Sequence, residues 1–226
     1  MAAIALFCLA VTATVAATVA LADDTLSDGV AATGILSDAD LYRLATCGAA
    51  PGGACRGPSL RWAKTDLSLR IARATGPGPR GFADRMRSAA VLAVAQINRA
   101  GAGITVHMTD AATADITILP THLGPGAVLT EVPGMSGAGI MGVGYMTVWS
   151  DETDTITEAA ILISTSIAEG EVRSVMLEEI TQSLGFLYDI DGPAYEGVSI
   201  LSQTSNATVT LEGQDVALLR LHYPPN

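Results

Sequence analysis

Apolar residues recur at helical spacing in three stretches of the chain. Residues 82–100 form the clearest of them, and Gly101 follows as a typical helix end. A second amphipathic helix is predicted over residues 177–186 and ends at Gly185. Residues 211–223 predict a closing helix. We therefore expect a helix at each of these places, of which the first is the longest, and Ser37 could cap a further short helix over residues 38–44.

Alternating apolar and polar positions indicate strands between and before these helices. The predicted strands cover residues 67–72, 104–108, 115–119, 145–149 and 156–166. Pro120 is expected to stop the third strand, because proline has no N–H to donate to a neighbour. The pattern predicts an α+β domain with a mixed sheet of about four to five strands. This sheet would pack on the long helix and on the 177–186 helix, with a mainly helical C-terminal part.

A glycine-rich segment, residues 122–144, separates two of the predicted strands. It contains a literal G-x-G-x-x-G at residues 137–142. A dinucleotide site needs a strand before this motif and a helix after it. Here Pro133 and Gly134 precede the motif and a strand follows it, so we reject a nucleotide cofactor and expect a mobile loop.

The first 22 residues have the composition of a secretory signal peptide. They carry no charge, and Ala20, Leu21 and Ala22 precede Asp23 in the small-x-small pattern of a cleavage site. The segment lacks the usual Lys or Arg, which leaves a start further upstream or an uncleaved anchor as alternatives. We expect cleavage after Ala22 and a bacterial protein located in the periplasm or secreted, without membrane contact after cleavage.

Two cysteines remain after such cleavage, Cys47 and Cys55, and a short flexible segment joins them. In an exported protein such a pair is typically a disulfide. We therefore predict an N-terminal extension, residues 23–60, with a disulfide loop, followed by one domain over residues 61–226.

The charge balance restricts the classes of partner. The formal net charge is −11, and an acidic surface disfavours binding to nucleic acids and anionic membranes. The 49% hydrophobic content is sufficient for a globular core. A peptide or protein partner remains compatible with both values, and no motif specifies an oligomeric state.

The helix at 177–186 carries the candidate chemistry. Met176, Leu177, Ile180, Leu184 and Leu187 share one arc of this helix. Glu178 and Gln182 lie i, i+4 on the opposite face, and Glu179 lies beside them. We expect both glutamates in or near the early turns, where the helix dipole tolerates negative charge. Such a face could line a cleft.

The spacing Glu178-Glu179-x-x-Gln182-x-x-Gly185 resembles the His-Glu-x-x-His-x-x-Gly helix of zinc peptidases. Only Glu179, at the position of the general base, and the glycine are retained. The stretch also resembles an uncharacterised proteobacterial family of unknown function, family 2927, which carries Glu-Glu-x-x-Gln-x-Leu-Gly at this point. The resemblance implies a degenerate zincin-like domain, in which an edge strand borders the substrate groove and the motif helix forms its floor.

A catalytic zinc needs three protein ligands and an open position for water. The resemblance places Glu178, Gln182 and Tyr188 at the ligand positions, and none of them offers a nitrogen donor. The histidines, which lack ligand spacing, are His107, His122 and His222. We therefore expect no metal, no other cofactor and no peptidase activity by the usual route.

Three hypotheses follow for this helix. In the leading one, the protein is non-catalytic and binds a peptide or protein partner in the groove, beside a hydrogen-bonded polar network on the helix. In the second, it is a hydrolase with a non-standard carboxylate or metal site at Glu178 and Glu179, with Glu179 as the catalytic residue. In the third, the polar face is merely solvated. The candidate groove residues are Glu178, Glu179, Gln182, Gly185, Tyr188, Asp189 and Asp191.

Overall fold

The segments with strand-like alternation come together in one mixed sheet of six strands in the computed structural model. The structure describes residues 28–74, 76, 78–129 and 139–225. Its elements, in chain order, are β1 (Val30–Ala31), α1 (Asp38–Cys47), β2 (Arg61–Trp62), β3 (Asp66–Ile71), α2 (Phe82–Arg99), β4 (Thr105–Met108), β5 (Ile116–Thr121), β6 (Val128–Leu129), β7 (Gly139–Ile140), β8 (Gly144–Ser150), β9 (Thr155–Ser164), α3 (Val172–Gln182), β10 (Ile190–Asp191) and α4 (Gly213–His222).

The sheet is mostly parallel, with one antiparallel strand. Its order is β2-β9-β5-β3-β4, and β8 pairs with β9. Only β8 runs antiparallel to its neighbour in this sheet. The predicted α+β class is confirmed, and the position of the edge strand β8 beside α3 is consistent with the zincin-like topology.

The longest strand, β9, pairs with β2, β5 and β8, and both of its faces are covered. Residues 159–163 form a continuous apolar run, and every one of them is buried. Such a run is typical of a strand packed on both sides. On one face, α2 and α3 pack against each other and against the main core. The sheet thereby holds α3 beside β8.

The prediction that Pro120 ends its strand is wrong, because β5 continues to Thr121 and still pairs with β9. The pairing of β5 with β3, by contrast, stops at Ile118. Ala72 N–H donates to Ile118 O, so the peptide groups of Ile118 are directed toward β3. The backbone nitrogen of Pro120, two residues later, is also directed toward β3. Its missing N–H therefore ends one ladder and leaves the other intact.

The glycine-rich segment contains two short strands in its described part. β6 and β7 pair antiparallel, and Leu129 and Met141 pack on Leu162 on the second face of the sheet. The expectation of a mobile loop falls partly on residues 130–138, which lie outside the described residues.

Residues 28–60 pack into the same core as the rest of the domain. α1 packs on α4, β1 pairs with β10, and Leu41 and Leu44 are completely buried. Cys47 and Cys55 form the predicted disulfide, with their Cα atoms 5.1 Å apart. The predicted signal peptide, residues 1–22, lies outside the described residues.

Within the described ranges, no helix combines the length and the apolar character that crossing a bilayer requires. This finding concerns residues 28–225 without the gaps given above.

Candidate functional site

A cleft of about 670 Å³ lies between the edge strand β8 and the helix α3. Residues 144–148 of β8 form one wall, and Glu178, Glu179 and Gln182 lie on the opposite side. Tyr188 and Asp189, from the turn after α3, complete that side. The cleft therefore brings together most of the residues that the motif spacing selected.

Asp191 and Gly185 lie outside the lining of this cleft. Asp191 is exposed and pairs with Ala31 in the β1–β10 ladder. Gly185 has a φ of +111°, and a Cβ there would overlap Leu60 O and approach His222 Nε2 to 2.7 Å. The motif glycine thus has a backbone role, because a larger residue would be strained and would clash.

Glu178 and Glu179 lie in the second half of α3, which begins at Val172 and ends at Gln182. The expectation that they occupy early turns is wrong, so the helix dipole does not stabilise their charge. Glu179 and Gln182 are each only 7% exposed. The hypothesis of a merely solvated polar face therefore does not fit.

The polar network expected on this face is incomplete. Gln182 Nε2 donates to Asp189 Oδ1 over 2.6 Å, which ties the end of α3 to the following turn. Glu179 Oε2 is buried and has no hydrogen-bond partner among the described residues. A buried carboxyl oxygen without a donor is unusual in a folded protein and is costly.

A fourth carboxyl, that of Asp28, joins the cleft from the N-terminal segment. Asp189 N–H donates to Asp28 O over 3.2 Å, and Val30 N–H donates to Asp189 O over 2.9 Å. These bonds extend the two-residue ladder between β1 and β10. We refer to the side chains of Asp28, Glu178, Glu179 and Asp189 as the acid cluster.

The acid cluster has a strong tendency to hold protons. Burial raises the pKa of Asp189 to about 8, with a further contribution from the charge of Asp28. Burial also raises the pKa of Glu178 and of Glu179 well above the usual range, and the neighbouring carboxyl of Asp189 adds to this effect. Crowded carboxyls out of water favour their neutral forms.

Gly144 allows β8 to come close to the acid cluster. A Cβ at this position would overlap Glu179 Oε1 and would lie 2.7 Å from Val175 Cγ1. The absence of a side chain therefore lets the start of β8 lie directly against α3. Tyr145 follows on the strand, and burial together with the charges of Asp28 and Glu179 raises its pKa.

One edge of β8 is free among the described residues, since β9 is its only partner. Ser164 N–H donates to Val143 O, so this pair is hydrogen-bonded. Bonded pairs alternate along an antiparallel ladder. Tyr145 and Thr147 therefore bond to β9, and Gly144, Met146 and Val148 direct their peptide groups to the free edge along the cleft.

The donor set does not fit a zinc ion. The positions that correspond to zinc ligands hold two oxygen-donor side chains and a tyrosine, Glu178, Gln182 and Tyr188. In the described part of the chain, no three His, Cys, Asp or Glu residues are arranged to hold a metal.

None of the three histidines lines the cleft. His107 pairs with Asp66 at 3.1 Å on the surface, and His122 lies 3.1 Å from Thr165 Oγ1. His222 is buried, contacts Leu60 O at 3.0 Å, and has a pKa that burial lowers to about 4. His107 and His122 are exposed, whereas His222 is buried at the end of α4.

Sequence reasoning did not identify Asp28, Gly144 and Gln203 as residues of the site. Gln203 lines the cleft and hydrogen-bonds to the Asp28 carboxyl. Asp28 lies 150 residues before Glu178 along the chain, and the β1–β10 pairing brings it to the cleft. The glycine at the start of a predicted strand was the one local signal, because such a glycine can indicate close backbone approach.

Comparisons with known proteins give a family and a distant structural likeness. No curated protein matches the chain. The solved structures that it resembles include two described as "Crystal structure of myroilysin" and "Structure of Myroilysin". The first is 14% identical with a TM-score of 0.44 and covers 74% of this chain and 86% of its own. The second is 13% identical with a TM-score of 0.43 and covers 74% and 84%.

A likeness at this distance indicates neither an activity nor a substrate. The family comparison is more specific, because it covers the region from α2 to the end of α4 and includes the acidic residues of α3. The chain belongs to the family described as "Protein of unknown function (DUF2927)", which matches residues 80–226.

Proposed function

We propose that this protein binds an extended segment of polypeptide in the cleft between β8 and α3, without cleaving it. The observation that carries this proposal is the free edge of β8, which forms a wall of the cleft. An added strand would satisfy the peptide groups of Gly144, Met146 and Val148. Main-chain hydrogen bonds of this kind supply affinity in strand addition, and neighbouring pockets supply specificity.

The surroundings of the free edge support a binding role. Every residue of β8 from Gly144 to Trp149 is only partly exposed, and Met146 and Val148 pack on the main core. A strand placed here would therefore meet a wall that is already ordered by β9. Preorganisation of this kind lowers the entropic cost of binding.

The raised pKa of Glu179 supports the absence of peptidase chemistry by the usual route. A general base must be ionised to accept a proton from water. Burial and the neighbouring carboxyls of Asp189 and Asp28 raise the pKa of Glu179 well above its usual range. A raised pKa reduces the ionised fraction of this side chain at a given pH and so weakens it as a base.

A hydrolase with carboxyl chemistry is the second candidate, favoured by the raised pKa of Asp189, about 8. A protonated Asp189 could donate its proton to a leaving amine, while an ionised neighbour removes a proton from the attacking water. The test is turnover of a quenched fluorescent heptapeptide library by the parent and by Asp189→Asn. Turnover that disappears in Asp189→Asn would replace the binding proposal, and we expect no turnover in either protein.

We propose a location outside the bacterial cytoplasm, in the periplasm or the medium. The disulfide between Cys47 and Cys55 supports it, because structural disulfides persist in oxidising compartments. Fractionation of cells that express the full chain, with thiol labelling of the purified protein, tests this location.

The binding proposal is tested with a randomised heptapeptide library displayed on beads. Heptapeptides that the purified protein retains are resynthesised with N-methyl groups at alternate positions. In strand addition only every second peptide N–H bonds to β8, so N-methylation at one set of positions should abolish binding. Methylation of the other set should leave affinity within about threefold. Equal effects of the two sets, or no retained peptide, would contradict the proposal.

A further inference from the structure

The acid cluster has no cationic partner within its own chain. The protein has 12 Lys and Arg residues and 3 His residues. The sequence of the parts outside the described ranges contains none of these residue types, so all fifteen lie in the described part. None of them lines the cleft.

Four of these fifteen residues pair with acids elsewhere in the described part. The ion pairs of this part join Lys64 to Asp115, Arg85 to Glu169, Arg87 to Asp110 and His107 to Asp66. The only charges that act on Glu178 and Glu179 are those of other carboxyls. Four acids thus face one cleft without compensation, in a chain that places its cations on other surfaces.

Glu179 gives a second and independent indication. This side chain is more than nine-tenths buried and lines the cleft, and its Oε2 has no hydrogen-bond partner among the described residues. Asp189, by comparison, accepts a hydrogen bond from Gln182. A buried acceptor that lacks a donor is satisfied when a ligand brings one.

We propose that the polypeptide bound in this cleft carries a basic side chain, best an arginine, whose guanidinium lies against Glu179 within the acid cluster. This inference rests on the proposed function and specifies its ligand. A guanidinium offers five N–H donors in a planar fork, which can serve several carboxylate oxygens at once. Charge-assisted hydrogen bonds of this kind are roughly twice as strong as neutral ones.

The strand geometry gives the position of the basic residue in the peptide. Side chains of a strand alternate between the two faces of the sheet. Met146 and Val148 face the main core and α3. Gly144, on the same face, has no side chain, so its backbone lies directly against the Glu179 carboxyl beside the free edge. The arginine therefore belongs to the set of peptide positions that face α3, next to Gly144.

The test uses two labelled heptapeptide pools that are randomised at every position except the centre. One pool has arginine at the centre, and the other has citrulline, which has the same shape and no charge. Binding to the parent, Glu179→Gln, Glu178→Gln and Asp191→Asn is measured by fluorescence anisotropy at physiological salt with a chelator present. Asp191→Asn is the matched control, because Asp191 is an exposed acid near the cleft that does not line it.

We expect the parent to bind the arginine pool about tenfold more tightly than the citrulline pool. Glu179→Gln should reduce this ratio to about threefold or less, with Glu178→Gln as a second variant of the cluster. Asp191→Asn should keep the parent ratio. Asp191→Asn should also keep the parent affinity for the citrulline pool.

Equal affinity of the parent for both pools would overturn the proposal of a basic side chain in the ligand and leave the proposal of peptide binding intact. An arginine preference that persists in both cluster variants would also overturn it, since the preference would then come from the general acidity of the surface. Absence of binding to either pool would reject the proposed function together with this inference.

Discussion

Asp215 in α4 and Glu179 in α3 are both buried carboxyls, with 4% and 7% of their surface exposed. Their surroundings differ. Ser199 Oγ donates to Asp215 Oδ1 over 2.6 Å, and Ile200 N–H donates to Asp215 Oδ2 over 3.0 Å. Glu179 Oε2 has no partner in the described part of the chain. Burial alone therefore does not distinguish the two carboxyls, whereas the supply of donors does.

The supply of donors distinguishes Asp215, whose hydrogen bonds lie within the fold, from Glu179, whose donor comes from a ligand in our proposal. Asp215 ties α4 to the turn that contains Ser199 and Ile200, and burial raises its pKa to about 6, less than that of Asp189, about 8. Its hydrogen bonds offset part of the cost of burial. Glu179 Oε2 in the cleft lacks such compensation among the described residues, as our proposal expects of a carboxyl whose donor comes from a ligand.

Replacement of Asp215 by alanine should give the largest effect. It would leave the Ser199 hydroxyl and the Ile200 N–H buried without an acceptor, which costs about 3 kcal/mol of unfolding free energy. Denaturant unfolding of Asp215→Ala beside the exposed control Asp191→Asn measures the loss. A change below about 1 kcal/mol would show that Asp215 is not the structural anchor described above.

The pH dependence of stability should come next in size and should separate the two regions. A carboxyl with a raised folded-state pKa gives stability that is lost as pH rises from its unfolded pKa to its folded pKa. For Asp215 this window ends at about 6, and for Asp189 it ends at about 8. Between about pH 6.5 and 8 the loss should therefore come from the cleft, about 2 kcal/mol for each additional proton held.

The variant Asp189→Asn tests this assignment, because asparagine keeps the shape and can still accept the bond from Gln182. We expect the unfolding free energy of this variant to fall less steeply than that of the parent above about pH 6.5. The difference in slope should extend down to about pH 4, because the Asp189 window opens at the unfolded pKa of an aspartate. Equal slopes of unfolding free energy against pH for the two proteins above about pH 6.5 would show that Asp189 is not the titrating group.

The sequence predicted the elements of the fold better than their surroundings. The helix predicted at 82–100 is α2, and each predicted strand is present. These predictions succeeded because helices and strands both leave a local periodicity in the sequence. The motif spacing also selected Glu178, Glu179 and Gln182, since neighbours on one helix face follow from the helix repeat.

Burial and long-range approach were not predictable in the same way. Periodicity placed Glu179 on a polar face opposite the core, but β8 covers that face where Gly144 allows close contact. Asp28 reaches the cleft through a ladder of two residues, too short to leave a pattern in the sequence. Each of these features depends on how distant segments pack rather than on local spacing.

Replacement of Glu179 by glutamine should have the smallest effect and the opposite sign to that of Asp215→Ala. The neutral amide removes a carboxyl from a crowded, buried cluster and should raise the unfolding free energy by about 1 kcal/mol at pH 8. In Asp215→Asn, by contrast, the new NH₂ group would face one of two donors and should destabilise. A Glu179→Gln protein less stable than the parent would mean that Glu179 has a structural partner.

The free edge of β8 is tested most directly by amide hydrogen exchange, followed by NMR with and without the tightest-binding arginine-centred heptapeptide. The peptide should slow exchange at Met146 and Val148, whose N–H groups face the cleft. Exchange at Tyr145 and Thr147, which already bond to β9, should change little. Slowing at neither Met146 nor Val148 with a saturating peptide would contradict strand addition and with it the account of this cleft.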